Sequence, residues 1–204
     1  MNRRQRSVLD LRELPDMVFG PRDIMWWGTL GFVLIEGFTL VLCAAVFVYL
    51  QQNFSTWPPL HTPLPSIGAP TIQVLVMLAS IPVVIWTSKA ARRFDFATVR
   101  IGLTLATLFN IAFVALRAVE LLVSLNVKWD TNAYASAQWL VLGTHATLLA
   151  VELVEVGGMM LLFWLGPVEE KHFSDVTDMV FYWLFMVLAW IPLYVLCFLA
   201  PWWV

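Results

Sequence analysis

The sequence predicts an all-α integral membrane protein: a bundle of five transmembrane helices with the N-terminus inside and the C-terminus outside. Three observations predict it. Of the 204 residues, 60% are hydrophobic and only 13% charged, whereas a soluble domain holds about 25% charged residues. The apolar residues gather into five runs, each near the length of about 20 residues that a helix needs to cross a bilayer. Basic residues collect at alternate ends of those runs, as the positive-inside rule requires. Disorder is excluded, because it needs low hydrophobicity and high net charge. A net charge of −2 leaves no basic field for nucleic acid.

The first run, Trp26 to Leu50, is interrupted by one charge, Glu36. A connector from Gln51 to Pro70 follows, with Pro58, Pro59, Pro63, Pro65 and Pro70 and no charged residue. The second run, Thr71 to Ser88, is uncharged and short for a span. The third, Val99 to Leu125, holds Arg117 and Glu120; the fourth, Ala135 to Gly166, holds His145, Glu152 and Glu155. The fifth, Met179 to Ala200, is uncharged, with Pro192 as a candidate kink. No β-barrel alternation is present, so the runs read as helices.

Orientation follows from Lys and Arg. Arg3, Arg4, Arg6, Arg12 and Arg22 precede the first run; Lys89, Arg92, Arg93 and Arg100 surround the second loop; and Lys171 lies in the fourth. Loops one and three together hold only Lys128. Trp26, Trp27, Trp86 and Trp164 then mark the inner boundary, and Trp57, Trp129, Trp202 and Trp203 the outer one, where Trp collects. Residues 1–25 read as a cytoplasmic lead-in, because they lack the apolar core and cleavage site of a signal peptide. The whole of 1–204 reads as one membrane domain without internal repeats.

Ionisable groups inside a bilayer are costly, at about 2.5–3.5 kcal/mol each on insertion scales. Six are retained here: Glu36, Arg117, Glu120, His145, Glu152 and Glu155. Thr29, Glu36 and Cys43 fall seven apart, as do Gln138, His145 and Glu152, and Asn110 and Arg117. Seven residues are nearly two helical turns, so each set forms a stripe expected to face other helices. Arg117 and Glu120 are three apart and able to pair on one helix. Glu152 and Glu155 share a face, and with two carboxyls that close at least one is expected to be protonated unless a cation joins them. Glu36 and His145 both fall near mid-membrane, which leaves a pairing between them open. Arg117 with Glu120 reads first as structural glue between helices; the other groups divide between that reading and a proton-related or lipid-related role.

A metal or haem centre in this chain is not expected. The three histidines, His61, His145 and His172, fall at three different depths, and a bis-histidine haem inside the bundle needs a second intramembrane histidine. Cys43 and Cys197 read as small hydrophobes rather than a disulfide.

The chain resembles subunit III of the haem–copper oxidases, the cytochrome c oxidase family, from Trp26 onward. Trp26 to Phe38 (WWGTLGFVLIEGF) is similar to a family helix with a carboxylate at mid-depth, which falls here on Glu36. Trp57-Pro58-Pro59 resembles the start of the family's outer loop, and Val74 to Trp86 its next helix. Leu116 to Glu120 occupies the place of a helix-end glutamate, and Gly143-Thr144-His145 matches the opening of a two-histidine motif whose second histidine is Leu148 here. His172 to Val176, Tyr182-Trp183 and Trp190 to Tyr194 resemble the C-terminal signature of the bacterial branch. Long members also have a His and an Asp in their fifth helix, replaced here by Leu184 and Val187. They have seven spans, with a lipid-filled cleft between the first two and the remaining five. The chain matches the five-span bacterial form.

The resemblance implies a non-catalytic subunit with no active site and no cofactor of its own, in a bacterial plasma membrane. It implies packing on oxidase subunit I, alongside subunit II and smaller subunits, with haem and copper in those partners and phospholipid bound. It further implies support of stability and proton uptake during oxygen reduction in aerobic respiration. The alternatives are a subunit-III-like accessory protein of a nitric oxide reductase and a free-standing proton-coupled carrier.

Overall fold

The computed structural model describes residues 18–203. Arg3, Arg4, Arg6 and Arg12, which enter the orientation argument, lie outside the described residues. The fold is all-helical, with five helices long and apolar enough to cross a membrane. They are α1 (Ile24–Asn53), α2 (Gly68–Ala91), α3 (Phe96–Val119), α4 (Ala133–Leu165) and α5 (Lys171–Tyr194). Both α3 and α5 run on into wider turns, Glu120–Ser124 and Val195–Leu199.

Each boundary has a local cause. Asp23 caps α1 by accepting from Met25 N at 3.0 Å. Asp95 caps α3 through Thr98 N at 3.2 Å and Thr98 Oγ1 at 2.5 Å, and these bonds hold its carboxyl below the ordinary aspartate range. Asn132 caps α4 through Ala135 N at 2.9 Å. Pro192, inside α5, lacks the N–H that a regular turn would use. The wider turn Val195–Leu199 begins three residues later.

The helices run past the apolar segments, most of all at α5. It begins at Lys171, not at 179, so the acidic stretch Lys171 to Asp178 belongs to the helix rather than to a loop. Two contacts hold this polar first part. His172 Nδ1 accepts from Glu169 N at 2.9 Å, and Ser174 Oγ lies 2.9 Å from Asp23 Oδ2. α2 likewise starts at Gly68 and ends at Ala91, three residues beyond the predicted run at each end.

The helices form a ring in the order α1, α4, α3, α2, α5. Chain direction alternates along the sequence, so every neighbouring pair is antiparallel except α5 and α1. α5 also touches α4 across the ring, and its Trp183 meets Phe113 of α3 at 5.3 Å between ring centroids. α2 and α3 approach closely at Gly102, where a Cβ would sit 2.1 Å from Thr87 Oγ1. Small residues at such crossings let membrane helices pack backbone to backbone.

The proline-rich loop packs over the end of the bundle where α3 finishes. Ser66 N donates to Ser124 O at 2.7 Å, Asn126 Nδ2 to Leu64 O at 3.3 Å and Trp202 Nε1 to Pro65 O at 3.3 Å. Trp57 is buried in this cap against Phe47 and Tyr134.

Candidate functional site

All three heptad stripes turn inward. On α4, Gln138, His145 and Glu152 are buried; on α3, Asn110 and Arg117 are buried; on α1, Cys43 is buried while Thr29 and Glu36 are half-buried. Glu36 and Glu152 belong to one polar centre and Gln138, His145 and Arg117 to another, while Cys43 lies 3.6 Å from Thr144 Oγ1 and Asn110 has no hydrogen-bond partner among the described residues.

The first centre is acidic. Tyr182 of α5 donates its hydroxyl to Glu36 Oε2 of α1 at 2.5 Å. Glu152 of α4 is within electrostatic reach of both Glu36 and Glu155. It is 1% exposed, and neither of its carboxyl oxygens has a hydrogen-bond partner among the described residues. Glu155 is exposed. Counted along their helices from the same end of the bundle, all four groups lie about 15–20 Å in, which is mid-membrane. A cleft of about 310 Å³ opens beside them, lined by Thr29, Phe32, Glu36, Val151, Glu155 and Tyr182.

The second centre is a buried ion pair nearer the other end. Arg117 Nη1 donates to Glu120 Oε2, and Arg117 Nη2 lies 3.1 Å from His145 Nδ1. The guanidinium also sits 3.7 Å from the Trp190 ring centroid, a cation–π contact made in a desolvated site. His145 Nε2 faces Met186 O at 3.4 Å. Guanidinium nitrogens only donate, so Nδ1 is the acceptor and Nε2 bears the proton. Below this pair, Gln138 Nε2 donates to Tyr134 Oη at 2.8 Å and to Cys197 O at 2.6 Å. That carbonyl belongs to the wide turn of α5, and Gln138 supplies it with a donor in a medium without water.

The open pairing of Glu36 with His145 is therefore not made: Glu36 takes Tyr182, and His145 takes Arg117 and Met186 O. Tyr182 was missed as a site residue because tyrosine is neutral and escapes a search for charges. Its depth along α5, matching that of Glu36 along α1, is the signal that would have found it. Gln73, buried on α2 with both amide atoms unpartnered among the described residues, was missed in the same way.

The first centre comprises three carboxyls and a phenol, a set that can hold and pass protons but pairs no nucleophile with a base. In the second centre both imidazole nitrogens are engaged by protein. Among the described residues no three His, Cys, Asp or Glu side chains come together as a metal site.

Comparison with known proteins gives a relative. The chain is similar to cytochrome c oxidase subunit 3 of Polypterus ornatipinnis. The two are 27% identical over 148 residues, covering 72% of this chain and 55% of the relative. The chain thus spans about half the length of the relative it matches. No family model matches the chain.

Proposed function

We propose that the chain is a non-catalytic, subunit-III-like component of a bacterial haem–copper terminal oxidase. In this reading it packs on subunit I in the plasma membrane, and haem and copper reside in its partners. The observation that supports it most is the similarity to a cytochrome c oxidase subunit 3 across 72% of the chain. The mid-membrane carboxyl centre, open to a cleft, fits a role beside proton uptake rather than in the oxygen chemistry itself. Intramembrane acids that hydrogen-bond within a bundle are a usual feature of proton pathways.

The test is to purify the tagged full-length chain in mild detergent and record the optical spectrum and gas consumption of what copurifies. Haem bands together with oxygen consumption are expected. Haem bands with nitric oxide consumption and no oxygen consumption would transfer the accessory role to a nitric oxide reductase. A chain that purifies alone and moves protons in vesicles would make it a carrier instead.

A further inference from the structure

At the end of the bundle where α2 finishes and α5 begins, a groove of about 310 Å³ separates the two helices. Its mouth is polar and cationic: Lys89 and Arg92 project from the last turn and C-cap of α2, with the hydroxyls of Ser88 and Thr177 beside them. Its deeper walls are Ile85, Val180, Phe181 and Leu184. Phe181 is held in place by Trp26 of α1, stacked at 5.7 Å between ring centroids.

Lys89 and Arg92 are exposed and take part in no ion pair among the described residues. Arg92 is within electrostatic reach of Asp178, which also has Asp23 and Asp175 near it; none of these three acids lines the groove, whose charged lining groups are Lys89 and Arg92. Trp86 and Trp164 lie near the same ends of α2 and α4, which places the mouth at headgroup depth. From there the apolar walls run toward the hydrocarbon.

We propose that this α2–α5 groove binds an anionic phospholipid of the surrounding membrane. The phosphate sits between Lys89 and Arg92 with Ser88 and Thr177 as hydroxyl donors, and the start of one acyl chain lies along Phe181 and Leu184. Basic pockets between transmembrane helices favour this headgroup class, because charge complementarity adds to burial of the chain. The groove lies between two helices of this chain, so it is a different place from the cleft that long family members form with their first two helices. The proposal concerns the chain's own surface and does not depend on the oxidase reading.

The probe is spin-labelled phosphatidylglycerol against spin-labelled phosphatidylcholine, with the full-length protein, and whatever it copurifies with, in phosphatidylcholine nanodiscs. Wild type is expected to prefer phosphatidylglycerol, and Lys89→Gln and Arg92→Gln each to lower that preference about fivefold, the effect of one basic side chain near an anionic membrane surface. Leu184→Trp, which fills the groove and keeps both charges, is expected to lower binding as well. Lys128→Gln at the opposite end leaves the preference unchanged. Inorganic phosphate at millimolar concentration does not displace the label if the ligand is a lipid. The proposal is overturned if wild type shows no preference, if K89Q/R92Q retains it in a folded protein, or if phosphate competes the label away.

Discussion

At the level of single residues, Arg117 shows how a cation is kept in the interior of a membrane protein. Its charge meets Glu120 three residues on, the acceptor nitrogen of His145 and the face of Trp190, while its Nε has no hydrogen-bond partner among the described residues. Removing one member of such a pair strands the other. Arg117→Met is expected to destabilise the bundle by about 3–5 kcal/mol, read as a loss of thermal stability in detergent. Adding Glu120→Leu should recover much of that loss, because no unpaired carboxylate remains; a double variant no better than the single one would show that the pair is not the stabilising unit. Glu36 sits in a more open setting, tied among the described residues only through Tyr182. Glu36→Gln keeps an acceptor for the phenol and should leave initial turnover of a copurified complex near normal. Glu36→Leu leaves the phenol unpaired at a cost of about 1–3 kcal/mol and should hasten loss of activity during prolonged cycling. If Glu36→Gln abolished turnover from the start in an assembled, cofactor-replete complex, Glu36 would be on an obligatory proton path and the accessory role would fail.

At the level of helices, what hydropathy reads and what hydrogen bonding builds are different things. A run of apolar residues measures the part of a helix that lies in hydrocarbon, so all five helices were legible but their ends were not. The polar start of α5 is the case in point: Lys171 to Asp178 looks like a loop by composition, yet His172 and Ser174 secure it as helix. The wide turns of α3 and α5 left no trace in the hydrophobic pattern, because a single inserted residue is absorbed by carbonyl partners on other helices, such as Gln138 for Cys197. The heptad stripes were legible because seven residues return to nearly the same face, whatever the helix length. Close helix approach is also read from a single residue. Gly102 has Thr87 where its Cβ would be, and Thr87 Oγ1 is already bonded to Val83 O at 2.8 Å. Gly102→Ala should therefore separate α2 from α3 and cost about 1–3 kcal/mol. Thr87→Gly in the same chain should recover part of the loss, because Thr87 Cβ itself lies 2.8 Å from the new methyl and must go to make room; a Gly102→Ala protein as stable as wild type would contradict the close approach.

At the level of the whole molecule, five helices in a ring cannot all alternate, so one neighbouring pair must run parallel. Here it is α1 and α5, and between them lies an apolar cleft of about 510 Å³, walled by Gly37, Leu40, Phe185 and Pro192 among others. The odd number also puts the start of α1 and the end of α5 at opposite ends of the bundle. Residues 54–67 and 125–132 cap one end of the bundle, and residues 92–95 and 166–170 connect helices at the other. Which end faces the cytoplasm rests on the basic residues, because retention of Lys and Arg on the inner side during insertion sets orientation. Ten of the twelve Lys and Arg fall on the side of the N-terminus and of residues 92–95, and Lys128 alone belongs to the opposite loops. The acids Glu169 and Glu170 do not offset this, since acidic residues contribute little to the rule. Single cysteines at exposed Thr56, Arg93, Asp130 and Glu170 test the argument in a chain carrying Cys43→Ala and Cys197→Ala. With an impermeant thiol reagent on intact cells, positions 56 and 130 should label, and positions 93 and 170 only after permeabilisation. Labelling at 93 and 170 but not at 56 and 130 would invert the bundle and place Lys89 and Arg92 at the outer surface.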